Sequence, residues 1–448
     1  MKNIAAFIAL NRFGLGVAPG EADDVEADPR GWTRNQIERR QEIPAGLSSF
    51  PGAASIMKEI HEARLESPEA LNETARRHYR ESFGPETAAR ARHAVGTGTP
   101  FAERMVLFWS NHFTVSRTKA IIGPALPAYE REAIRPHVFG RFEDMLLAVA
   151  GHVCMVSYLD NNMSFGPNSR VGRRSGRGIN ENLAREILEL HTLGVNGGYT
   201  QADVTEFAKA LTGWTHGGMV GPGRSRPVSG GFVFRRWVHE PGPKTVLGKV
   251  YPEGGIEEAR SVMRDLATHP STARFVATKL VRHFVADDPP EPEVARIAHV
   301  FLESGGDLAE VSRALVDLDA VWRDPLPKVK TPYELVISAL RALGIGDVTV
   351  RTLGVPLKTM GQLPFNAPSP QGWPDEAGRW IAPESLLRRI EWLRAIAVRA
   401  GTSERPGALL ERVLGPVASA ETRRMVDLAP SGDAGVALAL ASAEFQRR

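Results

Sequence analysis

The chain has 448 residues, 42% of them hydrophobic and 24% charged, which supplies a large core without metal or disulfide staples. A single cysteine, Cys154, excludes an internal disulfide and a multi-thiolate metal site. The 55 basic and 52 acidic residues leave a net charge of +3, which excludes a global nucleic-acid footprint, and no stretch reaches the roughly 18 apolar residues of a membrane span.

The opening apolar run, Ile4 to Leu10, is interrupted by Asn11 and Arg12, too early for a signal-peptide core, and no export signal is read there. The mixed charges from Arg64 to Arg92 suggest a solvated helix. Phe101, Met105, Phe108 and His112 then fall at steps of four, three and four, one face of an apolar helix flanked by Trp109. Phe142 to Leu159 reads as a buried helix closed by the turn residues Asp160, Asn161 and Asn162. A loop rich in glycine and arginine spans Ser164 to Gly178. Asn180 is expected to cap a helix running to Leu193, with Gly194 as its stop. After the Gly197-Gly198 turn, Thr200 and Asp203 match a capping box for a second helix ending near Gly213, so the two make a helical hairpin.

From His216 to Gly255 the composition turns to Gly, Pro and β-branched residues, with short strands expected at Phe232–Phe234 and Thr245–Leu247 around the turn Glu240 to Pro243. Helices resume from Ile256 to about Leu343, broken at Asp287 to Pro290. The Pro/Gly-rich stretch from Val348 to Trp380 is expected to wrap the surface, and a closing helix follows over Pro383 to Ala400. The expected fold is mainly α: a multi-helix globular fold with a small β-hairpin insertion and Pro/Gly-rich wrapping segments. Residues 1–400 form a single domain carrying the insertion at about 216–255, and 401–448 form a helical extension packed on it.

Several stretches carry a resemblance. They are AFIALNRFGLG (6–16), FWSNHF (108–113), HVCMVSYLDN (152–161), the long block NENLAREILELHTLGVNGGYTQADVTEFAKALTGWT (180–215), HEPGPKTVLG (239–248), residues 269–290, and PQGWPDEAGRW (370–380). Together the chain resembles the uncharacterised bacterial family known as domain of unknown function 1800. The resemblance transfers no catalytic residue and no cofactor. It implies kinship with proteins that are often exported, and whose genes often sit beside a companion similar to alkaline phosphatases and sulfatases with twin-arginine signals. With no leader read, the chain is expected to be cytoplasmic as written, or exported together with a partner that carries such a signal.

The residues themselves offer two places for chemistry. On the 180–193 helix, His191 shares a face with Ala184, Ile187 and Leu188, whereas Glu186 and Glu189 share the other with Asn182. That arrangement does not make a simple chelate, and it lacks the Glu-x-x-His spacing of di-metal bundles, so metal content and cofactors stay open. His112 also sits in an apolar stripe. For either histidine alone a hydrogen-bonded core residue is the more economical reading, but if the two meet they form a desolvated pair suited to proton transfer. His112, His191, Glu186 and Asn182 are therefore the candidate catalytic set.

The second place is the loop carrying Arg170, Arg173, Arg174 and Arg177, which feeds the start of the same helix and reads as an anion-binding loop or as a solvated one. Trp109, His239 and Lys244 are candidates to line a substrate pocket. The plainer expectation is that the Gly/Pro hairpin exposes His239, Lys244 and Lys249. Trp373 and Trp380 either bracket a groove or anchor their segment, and Cys154 reads as a buried, inert thiol. The functional expectation is an enzyme acting on an anionic substrate, including one within a polymer. The alternative is a non-catalytic partner or carrier for the phosphatase- or sulfatase-like companion.

Overall fold

A computed structural model describes residues 1–38, 42–217 and 229–448. Its helices form where apolar residues recur at helical spacing. Pro100–His112 turns Phe101, Met105, Phe108 and His112 inward together, and all four are buried. Around them Trp109, Phe113, Phe142 and Phe301 make one aromatic core, and Phe13, Phe101, Phe284 and Trp322 make its neighbour. Other helices pack in pairs: Ile256–Ala267 with Phe142–Ala150, Pro270–Phe284 with Glu291–Glu303, and Pro383–Ala400 with Gly432–Ala441.

Four short strands form two separate antiparallel hairpins. β1 (Trp214–His216) pairs with β2 (Phe232–Phe234), and β3 (Lys244–Val246) pairs with β4 (Lys249–Tyr251). The expected strand at 232–234 is present and the one expected at 245–247 lies one residue earlier, at 244–246, but the two do not pair with one another. Residues 218–228 of the expected insertion lie outside the described residues.

Three other expectations are corrected. The Arg64–Arg92 stretch is not solvated throughout: Glu86 and Arg90 are buried, Glu86 against Arg131 at 2.7 Å and Arg90 in a two-pronged bond to Glu130 at 2.6 and 2.7 Å. Mixed charge marked a surface there only because the partners lie about 40 residues onward in sequence. The Phe142–Leu159 helix is two, Phe142–Ala150 and Val153–Tyr158, because the His152 ring accepts from the Cys154 amide and starts a new helix. Finally, Val350–Thr359 is helical, so only the residues after it wrap the surface.

The 401–448 segment ends inside the core. The Arg448 guanidinium is buried, with Nε 3.0 Å from Glu334, while the backbone of Arg448 bonds both ways with Lys328. Arg104 also reaches Glu334, so two guanidinium groups share one buried carboxylate. Among the described residues no helix is long and apolar enough to cross a membrane.

Candidate functional site

A cleft of about 1020 Å³ opens beside the buried carboxylate Glu334, large enough for a small-molecule substrate. Its first wall is the Pro270–Phe284 helix, which presents Phe275, Lys279 and His283 at successive steps of four. The second is the C-terminal end of Pro100–His112, contributing Phe108, Asn111 and His112. The third is the segment 362–379, which brings Phe365, Trp373, Asp375 and Arg379. Glu189 and Val195 of the helical hairpin close one end.

The third wall is irregular backbone, yet it is bonded down along its length. Phe365 sits at φ 54, a left-handed conformation unusual for a phenylalanine, and its carbonyl accepts from the Arg117 amide at 2.8 Å. The Ser116 hydroxyl donates to the Ala367 carbonyl. Asn111 grips Trp373 twice, donating from Nδ2 to its carbonyl at 2.9 Å and accepting from its amide at 2.7 Å. Gly372 makes that approach possible: at φ +87 a Cβ would lie 2.5 Å from the Asn111 carbonyl oxygen. Beyond it, the Trp380 indole donates to the Pro374 carbonyl, so Trp380 anchors the segment while Trp373 faces the cleft, their rings 6.1 Å apart.

This bracing delivers Asp375 to His283. The ring donates from Nδ1 to Asp375 Oδ2 at 2.8 Å, and its Nε2 lies 3.5 Å from both Arg104 and Arg448. Burial, together with Arg448 and Arg104, lowers the His283 pKa and keeps the ring neutral, although Asp375 opposes the shift. Burial alone raises the Asp375 carboxyl, but His283, Lys328 and Arg448 outweigh it and hold the group at about 2.

Lys279 differs from its surroundings. Its Nζ lies 5.6 Å from the Phe275 ring centroid, and it has no hydrogen bond or ion pair among the described residues. Burial lowers it from 10.5 to about 8, with Asp375 opposing and Arg282 assisting.

The two candidate histidines do meet. Their ring centroids are 6.4 Å apart, and His112 Nε2 donates to the His191 carbonyl oxygen at 3.0 Å. Each ring is 1% exposed, so the meeting is nearly dry, though His112 borders the cleft. Burial, then Lys279, lowers both pKa values: His112 falls well below 6.5 and His191 to about 3. Nδ1 of each has no hydrogen-bond partner among the described residues.

The helix bearing His191 starts at Asn182, one residue later than a cap at Asn180 implies, although Asn180 still accepts from the Asn182 amide. It widens into a π-helical turn over Ile187–Thr192, where the Thr192 hydroxyl bonds the Ile187 carbonyl. His191 faces inward, Glu186 and Glu189 are half-buried, and Asn182 is exposed. Burial and Glu189 raise the Glu186 pKa. Of this group only His112 and Glu189 line the cleft.

The remaining sequence candidates lie elsewhere. Trp109 is wholly buried in the aromatic core. His239 and Lys244 are buried too, against Glu258 at 3.1 and 2.7 Å, and only Lys249 of the three is exposed. Glu258 recruits them because it starts the next helix directly beneath the insertion. Trp109, His239 and Lys244 therefore do not line this cleft. The arginine loop is pinned to the insertion by Asn168, which bonds Glu240 twice, but Arg170, Arg173, Arg174 and Arg177 are exposed, with Arg177 stacked on Phe165. Cys154 is buried, and burial raises its thiol pKa well above the ordinary value. No group of three or more His, Cys, Asp or Glu side chains that could hold a metal ion occurs among the described residues.

Lys279, Arg282, His283, Asp375 and Arg379 were not singled out from the sequence. The 275, 279, 283 spacing was the available signal, but it reads equally as a solvated helix edge until a third wall covers it.

These features define a mainly helical protein with a charged cleft roofed by a braced, irregular segment. The chain belongs to the family described as Protein of unknown function (DUF1800), whose profile matches residues 8–447. No curated protein and no solved structure matches it.

Proposed function

We propose that the protein is an enzyme acting on an anionic substrate bound in the cleft between the Pro270–Phe284 helix and the 362–379 segment. The observation that carries this reading is an imbalance of partners. Of the acids lining the cleft, Glu130, Glu334 and Asp375 are each bonded to basic groups, while Glu189 at one end accepts from the Tyr199 hydroxyl. By contrast, Lys279 and Arg379 have no ion-pair partner among the described residues, and the nearest carboxylate to Arg282 is Glu376 at 4.0 Å. Cations left over on a concave wall are suited to a carboxylate, phosphate or sulfate. Four stretches that carry the family resemblance, 108–113, 180–215, 269–290 and 370–380, all contribute to this lining. In this reading His112 offers a neutral Nδ1 as proton acceptor, and the His191 carbonyl fixes its tautomer.

The test is anion binding. Sulfate and phosphate should raise the melting temperature of the wild-type chain, and Arg282→Met with Arg379→Met should weaken the apparent affinity by about tenfold or more, as expected for losing a charge-assisted contact. Equal stabilisation of wild type and double variant would refute the assignment.

A second reading, a non-catalytic partner of a phosphatase- or sulfatase-like companion, is favoured by one observation: the four loop arginines are exposed and without ion pairs among the described residues. The compartment follows from which reading holds, since export would then travel with a partner bearing a twin-arginine signal. Failure of a tagged chain to retain any such companion removes this version.

A further inference from the structure

The lysines of this protein differ in how their ammonium groups are held. Lys119, Lys209, Lys244 and Lys328 each bond a carboxylate, and Lys330 bonds Asn11 and Ser338. All five are buried or half-buried. Lys279 is the remaining half-buried lysine, and it alone among them has no oxygen partner among the described residues. It rises from the second half of the Pro270–Phe284 helix, lines the cleft, and stands 5.6 Å from the centroid of the Phe275 ring. The Phe275 face and the more distant Asp375 favour the ammonium, but no oxygen accepts its hydrogens, and burial outweighs both. A neutral amine there keeps its lone pair free.

We propose that Lys279 is a carbonyl-condensing amine, forming an imine with an anionic carbonyl compound such as a 2-oxo acid or an aldehyde acid. The proposal rests on the anionic-substrate reading for the ligand's charge, which Arg282 and Arg379 would hold, but not for the reactivity of the amine itself. In the step, the Nζ lone pair attacks the carbonyl carbon and forms a C–N bond, while the C=O π electrons pass to oxygen. The two hydrogens of the neutral amine leave with that oxygen as one water, and a C=N bond remains. No oxidant or reductant is needed.

The surroundings suit such a step. Asp375, Arg282, His112 and His191 are the charged or titratable groups that interact with Lys279 electrostatically. An amine at about 8 carries a neutral fraction at neutral pH about 300-fold above that of an ordinary lysine. The nearby imidazoles are held neutral, so they do not compete as cations for the ligand's charge.

The experiment is reductive trapping on the full-length chain at about pH 7, where an ordinary lysine is almost wholly protonated. Glyoxylate, an anionic aldehyde, and acetaldehyde, a neutral one, are each added with cyanoborohydride, and labelled lysines are mapped by peptide mass spectrometry. Lys279 should be labelled about tenfold faster than the exposed Lys358, the gain in neutral amine being partly offset by burial. Lys279→Arg should remove that fast labelling without altering the circular dichroism spectrum. Fast labelling by glyoxylate over acetaldehyde supports both the amine and the anion site. Equal fast labelling by the two supports the amine and removes the anion site. Labelling no faster than Lys358 with either aldehyde overturns the proposal, whatever sulfate binding shows.

Discussion

His112 Nε2 lies 3.0 Å from the carbonyl oxygen of His191, joining the end of the Pro100–His112 helix to the end of the helix that begins at Asn182. Carbonyls in a final helical turn lack intrahelical partners, and this one is buried, so the imidazole satisfies a group that water does not reach. The same bond fixes the proton on Nε2 and leaves Nδ1 a buried nitrogen without a hydrogen-bond partner among the described residues, on a residue that borders the cleft. One contact thus serves both the core and the candidate site.

Removing the donor should be costly even if the protein has no activity. His112→Phe keeps the bulk and strands the His191 carbonyl, which costs about 1–3 kcal/mol. His112→Gln retains an N–H and should recover part of that loss. Urea denaturation of the two variants reads the difference. A His112→Phe midpoint equal to wild type would show that the bond contributes nothing.

The buried histidines also set a pH dependence. His191 is held at about 3, His112 well below 6.5 and His283 below 6.5, so all three are neutral in the folded chain. Unfolded, each returns to about 6.5 and binds a proton below that value. The unfolded state then carries more protons, and stability falls as pH drops from about 6.5 toward 3. Asp375, held at about 2 against an ordinary 3.8, contributes above 3.8 and loses that contribution only as pH falls on toward 2. A decline between about pH 6.5 and pH 5 therefore belongs to the histidines. His61 and His216, held at about 4 and 3, act in the same window, and Glu86, raised to about 7, acts against them, so His191→Gln should lessen the slope in a series of melts by about one proton's share; an unchanged slope would place the effect elsewhere.

The sequence disclosed the parts whose signals are local. The capping box of Thr200 and Asp203, the stop at Gly194, the inward stripe of Phe101 to His112 and the helix Pro383–Ala400 all follow from spacing, and all are present. What spacing could not disclose is pairing across long separations. Lys244 looked like an exposed hairpin residue because Glu258 belongs to the next helix. Asp375 has no local signal of its own because His283 lies 92 residues earlier. Lys279 was hidden for the opposite reason: its distinction is a missing partner, and absence of a partner has no sequence pattern.

The segment roofing the cleft depends on one glycine. Gly372 combines a left-handed φ with contact against Asn111, so Gly372→Ala meets both a conformational penalty and a clash with backbone oxygen. A cost of about 1–3 kcal/mol is expected from the conformation, felt locally rather than globally. Hydrogen exchange should quicken across residues 370–380 while Pro100–His112 stays protected. Uniform exchange in both regions would show that the segment does not depend on this approach.

Glu258 offers the sharpest test of the packing beneath the β-insertion. Its carboxylate lies 2.7 Å from Lys244 Nζ and 3.1 Å from His239 Nε2, and all three side chains are buried. Lys244 also donates to the Glu240 and Gly242 carbonyls, and His239 Nδ1 bonds the Thr212 carbonyl, so the carboxylate joins β3 to the Ile256–Ala267 helix and the end of the hairpin. Burial alone raises its pKa, but His239 and Lys244 outweigh that and hold it at about 2. Glu258→Gln leaves the Lys244 charge buried without its counter-ion, at a cost of about 3–5 kcal/mol. Lys244→Met alone strands the carboxylate in the same way, whereas the double variant removes both charges and should be more stable than the sum of the single losses predicts. A double-mutant cycle by chemical denaturation measures that coupling. Strict additivity would mean that the insertion is held by its apolar contacts, Val246 and Tyr251 among them, and not by the buried charge.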